Sequence, residues 1–173
     1  RTFLKVLEER NLPIEEIYFF ASARSAGSKL VFNNKEYTVE ELTENSFDRG
    51  IDISLFSAGA SVSLKYAPIA ASKGCIVVDN SSAWRMDPKV PLVVPEVNPQ
   101  DIEWNQGIIA NPNCSTIQAV VVLKPLHDKY KIKRIVYSTY QAVSGAGMEG
   151  YRDLENGLRG EPHKKFPHPI AGN

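Results

Sequence analysis

Short runs of apolar, often β-branched residues, such as DISLF, CIVVD and GIIAN, alternate along the chain with stretches of helical spacing, and each run ends in small or polar residues. This alternation constrains the fold more than any other feature. Runs that are apolar at successive positions must be covered on both faces, and strand–helix–strand repetition is how a mostly parallel sheet acquires that cover. The opening RTFLKVLEERN has helical spacing at Phe3, Leu4 and Leu7, and residues 17–23 (IYFFASA) read as a buried strand. KLVF and KEYTVEEL suggest a short antiparallel pair, DISLFSAGA (52–60) a strand, and SVSLKYAPIAASKG a helix with a glycine stop. CIVVDNSS, PLVVPEVN and QGIIANPN read as further strands. STIQAVVVLKPLHDKY reads as a helix, and KIKRIVYSTYQAVSGAG as a long strand entering a glycine turn. Residues 157–169 (GLRGEPHKKFPHP), rich in Pro, Gly and charge, read as a loop or mobile excursion.

The bulk numbers exclude some partners. Lys plus Arg is 20 and Asp plus Glu is 20, so no net positive field is present to hold a phosphate backbone, and nucleic acid is not an expected partner. The longest apolar runs are too short to span a bilayer and no basic-then-apolar leader opens the chain, which reads as soluble and cytoplasmic. Two cysteines form no disulfide framework. Three histidines show no metal spacing, and no metal site is expected.

Ligands of open parallel sheets gather beyond the carboxyl ends of the strands. The residues at those ends are SARSAG, SAGAS, DNSSAWR, NPNCST and QAVSGAG. Cys114 falls where a strand stops and a helix begins, and unpaired N–H groups with the positive end of the helix dipole favour a thiolate there. The alternative is a small buried hydrophobe, the reading that suits Cys75 at the start of CIVVD. Ser22, Arg24 and Ser25 follow an early strand where a dinucleotide domain selective for NAD would carry an acidic residue; a surface turn is the competing account. Arg85 follows a strand and a run of hydroxyls, as a guanidinium that clamps carboxylate or phosphate would, although most arginines are surface residues. Gln141 and the SGAG after it bring an amide and a pliable loop, and a plain strand-ending turn explains them equally well.

Taken together, ANPNCST, STYQAVSGAG, ASARSAG and VVDNSSAWR resemble the bacterial type of aspartate-β-semialdehyde dehydrogenase, over nearly all 173 residues. The resemblance implies reduction of β-aspartyl phosphate to aspartate semialdehyde with NADPH, releasing phosphate and NADP, at the branch toward lysine, threonine, methionine and diaminopimelate. It implies Cys114 as the nucleophile that forms an acyl-thioester and Gln141, 27 residues on (141 − 114), as the glutamine that contacts the substrate and holds the reacting carbonyl. It makes Arg85 the arginine of the phosphate subsite with Asn113 beside it. Arg24 and Ser25 match the pair that meets the 2′-phosphate of NADP, with Ser22 adjacent, and Ser144 and Gly145 the loop under the nicotinamide. Ser57, Gly59 and Asn80 match cofactor neighbours. A homodimer or a dimer of dimers is implied as well. Two alternatives stay open: N-acetylglutamyl-phosphate reductase, whose motif reads NPGC where this chain has NPNC, and a silent paralogue that keeps the fold.

The expected fold class is α/β, a doubly wound, Rossmann-type NADP-binding domain over 1–112, followed by the start of an α+β catalytic and dimerisation domain over 113–173. The chain departs from the family pattern in several places. The glycine-rich pyrophosphate turn and first strand are expected immediately before Arg1, and the histidine base, a second substrate arginine and a phosphate-contacting lysine beyond Asn173. The stretch between Gly147 and Pro169 reads as shorter than usual. A polypeptide of these residues alone is therefore expected to lack turnover.

Overall fold

A computed structural model describes residues 2–172, which divide into two compact units between Pro125 and Leu126. The first unit opens with helix α1 (Thr2–Arg10), the helix expected from the spacing of its apolar residues. Strand β1 is far shorter than expected, covering only Phe20–Ala21, and pairs in parallel with the two-residue strand β4 (Glu40–Glu41). Between them β2 (Lys29–Phe32) and β3 (Lys35–Thr38) form the expected antiparallel hairpin. Its two turn residues, Asn33 and Asn34, have φ of 48° and 61°, the left-handed pair that matches the twist of a two-residue hairpin.

The centre of the unit is a parallel sheet in the order β5 (Ile53–Phe56), β6 (Ile76–Asp79), β7 (Ile108–Ala110). Val77 lies opposite Ile108 and Asp79 opposite Ala110 across the β6–β7 ladder. Helix α2 (Ala60–Ser72) links β5 to β6. Its buried residues, Ser63, Ala67 and Ala70, recur at four and three positions, and their small size lets the helix lie close to the sheet. The core joins Phe47, Ala67, Ala70, Cys75, Val77 and Ile108, with Phe56, Tyr66 and Trp84 packed against it. The other edge of β5 has no ladder partner among the described residues, and Ile53 and Leu55 on that strand are 64% and 44% exposed.

PLVVPEVN is not a regular strand. Leu92 makes an isolated parallel bridge to Ala110, after which Val94–Asn98 turns. Pro91 and Pro95 have no N–H to extend a ladder, and Asn98 takes over the satisfaction of the backbone, accepting from the Val94 N–H (2.9 Å) and donating to the Leu92 carbonyl (3.0 Å). Helix α3 (Cys114–Tyr130) starts one residue before the expected span.

In the second unit the expected long strand over 131–147 is absent. Residues 131–142 form neither helix nor ladder, and a 3₁₀ turn, Val143–Ala146, leads into helix α4 (Gly147–Leu158). A segment of strand-like composition becomes a strand only when another backbone takes its N–H and C=O groups, and no described segment does so here. The 157–169 stretch begins inside α4, and its later part is tied down rather than left loose. Asp153 of α4, 2% exposed, accepts the N–H groups of Lys164 (2.8 Å), Lys165 (2.6 Å) and Phe166 (2.9 Å). Among the described residues no helix is long and apolar enough to cross a membrane.

Candidate active site

Because β5, β6 and β7 run in parallel, their carboxyl ends share one edge of the sheet. That edge carries Ser57 and Gly59, then Asn80, then Asn111 to Cys114. Gly59 caps the start of α2 with φ +93° and open space where a side chain would stand. No side chain of Gly59 caps the first N–H groups of α2.

Asn80, Arg85 and Asn111 are brought together. The Asn111 amide donates to Asn80 Oδ1 at 2.7 Å, Arg85 Nε donates to the Asn111 carbonyl at 3.0 Å, and Arg85 Nη2 to the Asn80 carbonyl at 3.2 Å. The Nε–Nη2 edge of the guanidinium is thus held by two strand-ending carbonyls. Asn113 caps α3 through its side chain, which accepts the N–H groups of Ser115 (3.0 Å) and Thr116 (3.2 Å). Asparagine is among the best residues for that position. Cys114 is exposed and is the first helical residue, so it stands at the positive end of a 17-residue helix, four positions past the end of β7. Asn111 was not singled out in the sequence, although it ends a strand inside the ANPNC motif and precedes a proline that biases it to extended backbone.

Ser22, Arg24 and Ser25 lie in the turn after β1, where the N–H of Ser25 donates to the Ser22 carbonyl at 2.8 Å. All three are exposed, and the structure brings none of them into the Asn80–Arg85–Asn111 cluster by hydrogen bond. In the second unit Gln141, Ser144 and Gly145 form a local group. A Cβ added to Gly145 would meet Gln141 Nε2 at 3.1 Å, so the glutamine side chain lies against the turn. Cys75 behaves as a core residue: it is 1% exposed, contacts Ser54 Oγ at 2.8 Å, and burial pushes its thiol pKa up despite that hydroxyl. Among the described residues no group of three His, Cys, Asp or Glu is placed to hold a metal ion.

Comparison with known proteins agrees with this architecture. Residues 1–105 match the family model described as semialdehyde dehydrogenase, NAD binding domain, and residues 123–173 the model described as semialdehyde dehydrogenase, dimerisation domain. The chain is 61% identical to an aspartate-semialdehyde dehydrogenase of Aquifex aeolicus, over 100% of this chain and 54% of that one, and 52% identical to one of Campylobacter jejuni, over 98% and 53%. The chain therefore spans about half the length of the curated relatives it matches. Among solved structures it superposes on aspartate semialdehyde dehydrogenase II of Vibrio cholerae complexed with ASA with a TM-score of 0.89, at 47% identity, covering 99% of this chain and 53% of that one. An aspartate semialdehyde dehydrogenase of Candida albicans solved with NADP matches at a TM-score of 0.64 and 29% identity, over 75% of this chain and 44% of that one. A Rossmann-like parallel sheet with an exposed cysteine just past its carboxyl edge is thus joined to identity along the whole chain, and the chain belongs to the semialdehyde dehydrogenase family.

Proposed function

We propose that this chain carries the cofactor-binding half and the nucleophile of an aspartate-semialdehyde dehydrogenase, which makes aspartate semialdehyde from β-aspartyl phosphate. The observation that carries the reading is an exposed Cys114 on the first turn of α3, just past the end of β7, with Arg85 held by the carbonyls of Asn80 and Asn111 that follow β6 and β7. The full-length relatives supply the substrate class by their names.

In this account Cys114 Sγ attacks the acyl carbon, the carbon–oxygen bond to phosphate breaks, and the departing dianion is met by Arg85. The Asn113 side chain holds the first turn of α3, and with it the thiol, in place. Gln141 supplies an amide to the carbonyl oxygen as negative charge develops on it. NADPH, when bound, supplies the hydride that reduces the thioester carbon. Collapse of the tetrahedral adduct breaks the carbon–sulfur bond, releases the aldehyde and restores the thiolate. Arg24 and Ser25, with Ser22, take the 2′-phosphate of NADP; Ser57, Gly59 and Asn80 line the cofactor path, and Ser144 and Gly145 lie beneath the nicotinamide. Residues 1–112 act as the NADP-binding domain and 113–173 as the start of the catalytic and dimerisation domain. The assembly is a cytoplasmic homodimer or dimer of dimers, the dimer being supported by the dimerisation-domain match.

The test is NADPH formation by the full-length protein with aspartate semialdehyde, NADP and phosphate, alongside its Cys114→Ala variant. Phosphate-dependent turnover that is lost in the variant is expected. Turnover that survives the substitution, or activity on N-acetylglutamate semialdehyde instead, would overturn the reading.

A further inference from the structure

Asp79 takes no part in the chemistry above, yet it ends the central strand β6 with 0% of its surface exposed. Its Oδ2 accepts the hydroxyl of Ser81 at 2.6 Å, while its Oδ1 is buried with no hydrogen-bond partner among the described residues. A buried carboxyl oxygen left without a donor costs free energy that an apolar residue at the same place would avoid. What the carboxyl gains in return is the Ser81 hydroxyl. Ser81, itself 9% exposed, accepts the N–H of Ala83 at 3.1 Å, so one serine ties the strand end to the residue four positions beyond it. The indole N–H of Trp84 then donates to the buried Ser63 hydroxyl on α2 at 2.9 Å. Arg85 comes next, reaching back to the carbonyls of Asn80 and Asn111. It satisfies both only if the 80–84 turn keeps its length and direction.

We propose that Asp79 and Ser81 form a clasp that positions Arg85: the turn they fix sets which end of the guanidinium faces the oxyanion, and so the affinity for inorganic phosphate. The proposal rests on the reading of Arg85 as the phosphate contact. Asp79 and Ser81 are positioning residues, since neither touches the ligand. Ser81→Ala removes the donor to Asp79 and the acceptor for Ala83 together. Asp79→Asn keeps an acceptor oxygen for Ser81 and is the conservative partner.

The experiment is steady-state kinetics of the full-length enzyme in the phosphorylating direction, with inorganic phosphate varied. Ser81→Ala is expected to raise the KM for phosphate about tenfold or more, with kcat at saturating phosphate and the KM for NADP within about twofold of the parent, as misaimed positioning groups do. Asp79→Asn is expected to keep the phosphate KM within about threefold of the parent, because the clasp survives in it. Arg85→Ala is the reference. If it leaves the phosphate KM unchanged, the reading of Arg85 falls and this proposal with it. If Arg85→Ala raises that KM and Ser81→Ala does not, the clasp alone is overturned. A Ser81→Ala enzyme that loses kcat and all KM values together, or only thermal stability, overturns it too, since that is what a purely structural serine would show. Should Ser81→Ala fail to fold, Ser81→Cys, similar in size but a poor donor, is read in its place against the same outcomes.

Discussion

Replacing Gly107 with alanine tests how tightly helix α2 is pressed onto the sheet that presents the cysteine. Gly107 enters β7 at φ +94°, and a Cβ built on it would lie 2.7 Å from the Ala71 Cβ and 3.4 Å from the Ala71 Cα. Gly74 is the matched control, with φ +86° and nothing within 4 Å of its Cβ position. Both substitutions carry the left-handed penalty of about 1–2 kcal/mol for an L residue. Both also gain roughly 0.4–1 kcal/mol by restricting the unfolded chain, which leaves a loss of about 1 kcal/mol for Gly74→Ala. Gly107→Ala adds a clash with a methyl group that has no rotamer to escape into. Relief requires α2 to move off the strand against which Ala67 and Ala70 are fully buried, and overpacking of this kind costs about 1–3 kcal/mol. A total loss of roughly 2–4 kcal/mol follows, a large share of the 5–15 kcal/mol that holds a typical domain together. Urea unfolding of the full-length protein and the two variants, compared at equal m-value, measures the difference. The reasoning is refuted if Gly107→Ala loses no more stability than Gly74→Ala.

Thiol labelling should separate the two cysteines: Cys114 reacts in the native protein, whereas Cys75, buried and with its thiol pKa raised, reacts only after unfolding. Equal native rates, read by mass spectrometry of the labelled peptides, would contradict the assignment of one as nucleophile and the other as core. Asp153 gives a pH prediction. Burial by itself would raise its pKa, but the N–H groups of Phe166, Lys164 and Lys165 outweigh that and hold it below the ordinary carboxylate range, helped by His163. A folded pKa below the unfolded one gives a contribution that is present above the ordinary aspartate value, near 4, and lost as pH falls through the lower folded value. Amide exchange over 163–168, corrected for its intrinsic pH dependence, should therefore accelerate only below that range in the parent, and already at neutral pH in Asp153→Asn. Unchanged exchange in Asp153→Asn at neutral pH would show that the loop is held by other contacts.

The parallel sheet was legible because its strands are written as apolar runs that need cover on both faces, and because the glycine stop at Gly74 marks the end of α2. The hairpin was legible from the adjacent runs KLVF and KEYT, and the structure closes them through Asn33 and Asn34. Residues 131–142 misled for a physical reason: β-branched and aromatic residues favour extended backbone, while a strand also needs a partner for its backbone, and that partner is not encoded within the segment. PLVVPEVN failed similarly, since its prolines were visible but the capping reach of Asn98 to Val94 and Leu92 was not. In the site, Cys114 and Arg85 could be picked out as chemistry-bearing residues at strand ends, while Asn80 entered only through the family resemblance. The tie between Asn80 and Asn111, 31 residues apart, and the Asp79–Ser81 clasp depend on which strands are neighbours, which a pass along the chain does not reveal.

The central claim is that Cys114 forms an acyl-thioester, and the most direct test starves the full-length enzyme of phosphate. Mixed with aspartate semialdehyde and NADP alone, the enzyme should release a burst of NADPH equal to its active sites and then stop, with an aspartyl adduct on the peptide that contains Cys114; added phosphate should discharge the adduct and restart turnover. No burst, or an adduct on any other residue, would contradict the account.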